Sequence, residues 1–305
     1  MRLGPFTSDE KEGGTDKDRG KATQDALKEG DAIFFYRKDL WFGIRNHLLN
    51  IVLGVLLLLV IWYLVAELVN LWKGLTLFPT PAETLSRLVD LLGGQKLYGV
   101  TVYSHVSASL ARWAAGYALA VFFGIVMGIS LGVSRRTHDV GIIPIYIFQM
   151  IPGLAWVPIA MLIFGLGNIS TIFMIFMTAL PPIAISTSSG IRAVPPNLVK
   201  AAQMTGASRS RIFFHVLLPA SAMSVINGLR IGLANGWRVL IAAEMVVGVA
   251  IGLGYSIFQS RWSLDFEAAF VCIVIICMIG LVIEKLLFVV LEDKIRQRMG
   301  LTEEG

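Results

Sequence analysis

The sequence predicts an all-α, polytopic membrane protein with six spans. Hydrophobic residues make up 55% of the 305-residue chain and charged residues only 15%. An ordinary soluble domain carries roughly 25% charged residues. The charges are also clustered, so that residues 113–133, 140–167 and 169–191 contain none. Each of these windows reaches or exceeds the ~20 residues that a helix needs to cross a bilayer core. Alternating strand patterns of ~10 residues are absent, which argues against a membrane barrel.

Residues 1–32 are polar, rich in Lys, Asp, Glu and Gly, and lack apolar periodicity. They read as a solvated, mobile tail without the apolar core of a signal peptide. Residues 33–47 mix aromatic and basic side chains, a composition that suits an elbow helix at the headgroup interface. The first span is placed at 48–72. Residues 73–107 are too polar and too broken by Phe78-Pro-Thr-Pro81 to cross, and predict an extracytoplasmic amphipathic segment. The remaining five spans fill 108–291, at 108–133, 139–165, 168–191, 213–247 and 267–291, and 292–305 is a second polar tail.

An even number of spans puts both termini on one side. Basic residues assign that side to the cytoplasm. Arg135, Arg136, Arg192, Lys200, Arg209, Arg211, Lys285, Lys294, Arg296 and Arg298 fall inside, against Lys73, Arg87, Lys96, Arg112 and Arg261 outside, in keeping with the positive-inside rule. The same rule accounts for the net charge of +5 without nucleic-acid binding. Small residues recur every four positions at Gly116, Ala120, Gly124, Gly128 and Gly132, and again at Ser224, Gly228, Gly232 and Gly236. Lipid provides no hydrophobic drive between helices, so such stripes mark close backbone packing. Pro144, Pro152 and Pro158 break the third span and Pro181-Pro182 the fourth.

Charges within the fifth span require an account, because a charge at the bilayer centre costs about 2.5–3.5 kcal/mol on insertion scales. Asn227, Arg230, Ala234 and Arg238 share one helical face, away from the glycine stripe, and Glu244 lies beyond them. They line a translocation path or gate, or Glu244 pairs with one of the two arginines inside the bundle. Catalytic patterns are absent. His47, His105, His138 and His215 are scattered, Cys272 and Cys277 lie on different faces of one helix, and there is no phosphate-binding Gly-x-x-x-x-Gly-Lys-Ser/Thr loop. The chain therefore reads as a non-enzyme with no cofactor of its own.

The most informative segment is the polar stretch 192–219. Pro195-Pro196 ends the fourth span and starts a short helix over 197–204. Thr205-Gly206 supplies a left-handed stop, and Ser208 caps the next helix, which Arg209 and Arg211 anchor at the headgroups. Pro219 bends the chain into the fifth span. This segment resembles the Glu-Ala-Ala loop of ABC importer permeases, in which Glu-Ala-Ala is followed by three residues, Gly, nine residues and Ile-x-Leu-Pro. Ala201, Ala202, Gly206, Leu218 and Pro219 match in register, Val216 stands for Ile, and Lys200 replaces Glu, reversing a charge.

The likeness covers roughly residues 75–290. Phe78-Pro-Thr-Pro81, Gly228-Leu-Arg230, Ala242-Ala-Glu-Met245 and Gly252-Leu-Gly254 are similar to the nitrate/sulfonate/taurine-type permeases. That resemblance implies the type I ABC importer transmembrane fold with a cytoplasmic coupling helix at about 197–208. Lys200, Ala201, Ala202, Gln203, Thr205, Gly206, Ala207 and Ser208 would couple to the ATPase, while the intramembrane polar residues Asn227, Arg230, Arg238 and Glu244 are the candidates for the path or gate, or for a structural pair, on their own pattern. It also implies a prokaryotic inner-membrane complex of two copies of this chain with two cytoplasmic ATPase subunits. Those subunits would carry the ATP and Mg, and an extracytoplasmic binding protein would deliver the solute. The cargo is read as a small anion such as nitrate, taurine or another sulfonate, or bicarbonate, with a vitamin or pyrimidine precursor as the alternative. An ion-coupled secondary transporter would need a carboxylate set, for which Glu67 and Glu244 are the candidates.

Overall fold

The computed structural model describes residues 49–74 and 77–289. The tail at 1–32, the interfacial elbow at 33–47 and the tail at 292–305 lie outside the described residues. The first helix, α1 (Leu49–Lys73), is predominantly apolar and long enough to cross a bilayer.

After α1, Asn70 fastens the adjoining turn. Its side-chain oxygen accepts from the Leu77 and Phe78 amides at 3.1 and 2.9 Å. Helix α2 (Pro81–Leu92) opens on a capping box, in which Thr80 and Glu83 satisfy each other's backbone amides, a pairing that closes two otherwise orphaned donors. A small antiparallel hairpin comes after it, β1 (Lys96–Leu97) and β2 (Val100–Thr101). Its Tyr98-Gly99 turn has positive φ at both positions, the geometry that matches strand twist in a two-residue loop.

Three long helices pack side by side as a slab. They are α3 (Val102–Val133), α6 (Asn168–Arg192) and α9 (Leu218–Val246). Helix α6 is the middle layer, and each glycine stripe lies against one of its sides. A Cβ placed on Gly128 would sit 2.5 Å from the Thr187 Cβ and 2.7 Å from the Ala184 carbonyl oxygen. One on Gly228 would sit 2.5 Å from the Ser186 Cβ. Only backbones without side chains approach this closely, which is how helices gain contact where lipid and protein are equally apolar.

Two of the expected spans differ in form. The third is a broken pair, α4 (Arg135–Met150) and a 3₁₀ turn (Gly153–Trp156) leading into α5 (Val157–Phe164), bent by 101°. Pro152 supplies the break, and Gly153 lets the turn press on Val239 of α9. The fourth, α6, stays helical through Pro181-Pro182. The two rings remove only the donors that would reach the Met177 and Thr178 carbonyls, and tight packing on both sides holds the helix together.

One boundary also moves. Helix α3 begins at Val102, earlier than 108, because His105 and Ser109 of its first turns are buried and hydrogen-bonded. A further helix, α10 (Leu253–Ser263), occupies the stretch between the last two spans, and α11 (Phe266–Glu284) completes the bundle. Arg87 of α2 and Asp265, the N-cap of α11, form an ion pair at 3.3 Å.

Candidate functional site

The 192–219 segment folds as a helix, a glycine stop and a second helix. Helix α7 (Pro196–Met204) has Pro at its first turn and buries no residue. It ends with the Gly206 amide on the Gln203 carbonyl at 3.0 Å and the Ala207 amide on the Ala202 carbonyl at 3.2 Å. This double closure requires a left-handed residue at the stop, and Gly206 has φ +76° with open space around it. The Ser208 hydroxyl accepts from the Arg211 amide and caps α8 (Arg209–Ile212). A wide π turn over Phe213–Leu217 then leads into α9. Pro219 would press on the carbonyl four residues back in a regular helix, and the wider turn relieves that clash.

Lys200, Ala201, Gln203, Thr205, Gly206 and Ser208 are exposed, and Ala202 and Ala207 are half-buried. Leu198 and Met204 project from α7 at 47% and 86% exposure. A cavity of about 350 Å³ lies between α7 and the ends of α3 and α6, lined by Val133, Ile191, Val199, Lys200 and Gln203 among others.

The polar residues of α9 separate. Asn227 and Arg238 are exposed on the same face, with Ile231 between them. Asn235, half-buried, lies beside that face. Arg230 points elsewhere, with its guanidinium 5.3 Å from the Phe288 ring, a separation at which a cation is attracted to the ring face.

Glu244 pairs with neither Arg230 nor Arg238. It is 1% exposed and forms an ion pair with Arg112 of α3, itself 7% exposed. The Ser109 hydroxyl lies 2.8 and 2.9 Å from its two oxygens. The Gly254 amide, in the first turn of α10, donates to Oε2 at 2.9 Å, where the partial positive charge of a helix N-terminus favours a carboxylate. Glycine is needed there, since a Cβ on Gly254 would lie 2.3 Å from the Ile241 carbonyl oxygen.

Arg112 spends its other donors on the Ile251 carbonyl and, at 2.7 Å, on the Asn168 side-chain oxygen. His105 extends the junction. Its Nε2 donates to the Leu97 carbonyl at 2.9 Å, and its Nδ1 accepts from the Gly252 amide at 3.0 Å. Those partners fix a neutral ring with the proton on Nε2. The junction therefore ties β1, α3, α6, α9 and α10 at one end of the slab.

Arg112, Ser109 and His105 are members of this junction that the motifs and charge patterns of the sequence do not single out. A signal for them exists, because positions 105, 109 and 112 fall on one helical face. Among the described residues, no group of His, Cys, Asp and Glu is placed to hold a metal ion.

Residues 120–297 match the family described as binding-protein-dependent transport system inner membrane component. The taurine transport system permease TauC of Escherichia coli is 34% identical over 227 residues, covering 74% of this chain and 82% of that protein. The nitrate import permease NrtB of Synechocystis is 31% identical, covering 76% and 84%. The bicarbonate transport permease CmpB of Synechococcus elongatus is 32% identical, also covering 76% and 84%. In shape, the chain resembles a chain of the MetNI methionine ABC transporter in an inward-facing structure, with a TM-score of 0.50 and 21% identity. That match covers 62% of this chain and 93% of the other.

Proposed function

The chain belongs to the binding-protein-dependent transport system inner membrane components, as an ABC importer permease of the nitrate/sulfonate/taurine type, and on that premise we propose that it forms the membrane path for a small anion. ATP hydrolysis is the work of partner subunits. The observation that carries the reading is the helix–glycine–helix elbow at α7 and α8, solvated and connected directly to α6 and α9. Two ATPase subunits dock on the elbows of two copies of this chain, and an extracytoplasmic binding protein delivers the solute. The elbow and both termini face the cytoplasm, in the inner membrane of a prokaryote.

The residues then divide into three roles. Lys200, Ala201, Ala202, Gln203, Thr205, Gly206, Ala207 and Ser208 form the coupling surface. Asn227 and Arg238, exposed on one face of α9, line the path, with Arg230 at its edge. Arg238 supplies the cation that stabilises an anion in transit, and the relatives named for taurine, nitrate and bicarbonate support that cargo class. Glu244, held by Arg112, braces the end of the slab from behind rather than touching the solute.

Two measurements test this. Proteoliposomes holding the permease with its ATPase and binding protein should take up a small anion when ATP is inside. Uptake only of a solute that carries no anionic group would remove the anion assignment. Gly206→Val forces a β-branched residue into φ +76°, a conformation such residues rarely adopt. It should leave the protein inserted and abolish ATP-driven uptake. Normal uptake by this variant would end the coupling reading.

A further inference from the structure

The charge around the elbow is of one sign. Arg135, Arg136, Arg192, Lys200, Arg209 and Arg211 are all exposed. Asp139 is the sole carboxylate between Asp90 and Glu244 in the sequence. The cavity that joins Val133 to Lys200 places the end of α3, just before Arg135 and Arg136, beside α7. Lys200 is the single charge on α7, on a helix that also presents Leu198 and Met204.

Two surfaces could balance such a patch, a carboxylate-lined protein cleft or anionic lipid headgroups. A helix built to lie on lipid carries several Lys or Arg on its polar face and aromatic or leucine residues on the other. Helix α7 has one cation and no aromatic residue. Exposed apolar side chains on a segment flanked by charge are instead the layout of a protein docking surface. A nine-residue helix with nothing buried also gains little stability alone and is completed by a partner.

We propose that the ATPase subunit receives α7 in an acidic cleft, with an apolar floor under Leu198 and Met204 and a carboxylate against the Lys200 ammonium. This rests on the coupling reading above and adds the chemistry of the partner. The exposed arginines flanking the elbow steer the approach of the acidic subunit, and the apolar contacts hold it.

The test uses the permease in zwitterionic lipid nanodiscs and its cognate ATPase subunits. Association should weaken as ionic strength rises, because exposed charge pairs are screened. Lys200→Glu should weaken it by about tenfold, chiefly in the association rate, as charge reversal at a rim does. A carbodiimide should link Lys200 to an Asp or Glu of the ATPase, identified by mass spectrometry. Leu198→Gln provides the control, since it removes an apolar contact without changing the charge of the helix. If Leu198→Gln weakens association while Lys200→Glu does not and no cross-link forms, docking stands and the acidic cleft is wrong. If neither variant changes association, the coupling reading fails with it. If the Lys200 effect occurs only in anionic nanodiscs, the patch serves lipid and the proposal is overturned.

Discussion

Glu244 offers the sharpest test of how this bundle is held together. Three donors converge on its carboxylate, from Arg112, Ser109 and the Gly254 amide. Replacement by leucine of similar volume removes every acceptor at once. Arg112 keeps the Ile251 carbonyl and Asn168, but its charge stays buried without a counter-charge. Breaking a buried pair in this way costs about 3–5 kcal/mol. Arg112→Leu should cost less, about 1–3 kcal/mol, the scale of leaving one buried polar group unsatisfied. The carboxylate left behind retains the Ser109 and Gly254 donors. The double variant removes both charges, so its loss should fall below the sum of the two singles by at least about 1 kcal/mol, the signature of direct contact. The assay is reversible denaturant unfolding of the purified protein in detergent. A loss below about 1 kcal/mol for Glu244→Leu, or single effects that add within about 0.5 kcal/mol, would refute the claim that this pair holds the junction.

Other outcomes depend on the packing and on the exposed face of α9. Gly128→Ala drives a methyl to 2.7 Å from the Ala184 carbonyl oxygen, where backbone must move. An overpacking loss of about 1–3 kcal/mol is expected in the same unfolding assay, and an unchanged midpoint would show that α3 and α6 are looser than described. Arg238→Gln should lower anion uptake by about tenfold, equivalent to losing about 1.4 kcal/mol of anion stabilisation, with ATPase association intact. Arg238→Lys should restore most of that uptake. Wild-type uptake in Arg238→Gln would take this side chain out of the path.

The elbow was legible in the sequence because its instructions are local. Pro196 starts a helix, Gly206 permits the left-handed stop and Ser208 caps the second helix, each within a few residues of the turn it controls. The glycine stripes were legible for a similar reason, since a four-residue repeat states which face packs. The junction was not. Glu244 and Arg112 are 132 residues apart in sequence, and nothing local at Glu244 singles out Arg112 over the nearer Arg238. The first turns of α3 look too polar for a span, yet His105 and Ser109 are fully buried, because long-range hydrogen bonds satisfy them. Proline signals were half informative. Pro152 marked a break but not its 101° bend, and Pro181-Pro182 marked a break that packing against two neighbours prevents.

The interlocking of α6 and α9 has a mechanical consequence. The chain enters α7 from α6 and leaves it toward α9, and those two helices are pressed together at Gly228 and Ser186 with no slack for a methyl group. On the proposed coupling role, a push on the elbow would tilt both together, and α7 would act as a handle on a plate rather than as a hinge between independent rods. From Leu218 to Arg238 the plate extends roughly 30 Å at 1.5 Å per residue. A rotation of one degree at the handle therefore displaces Arg238 by roughly 0.5 Å over that length, and a few degrees displace it by more than a hydrogen bond tolerates.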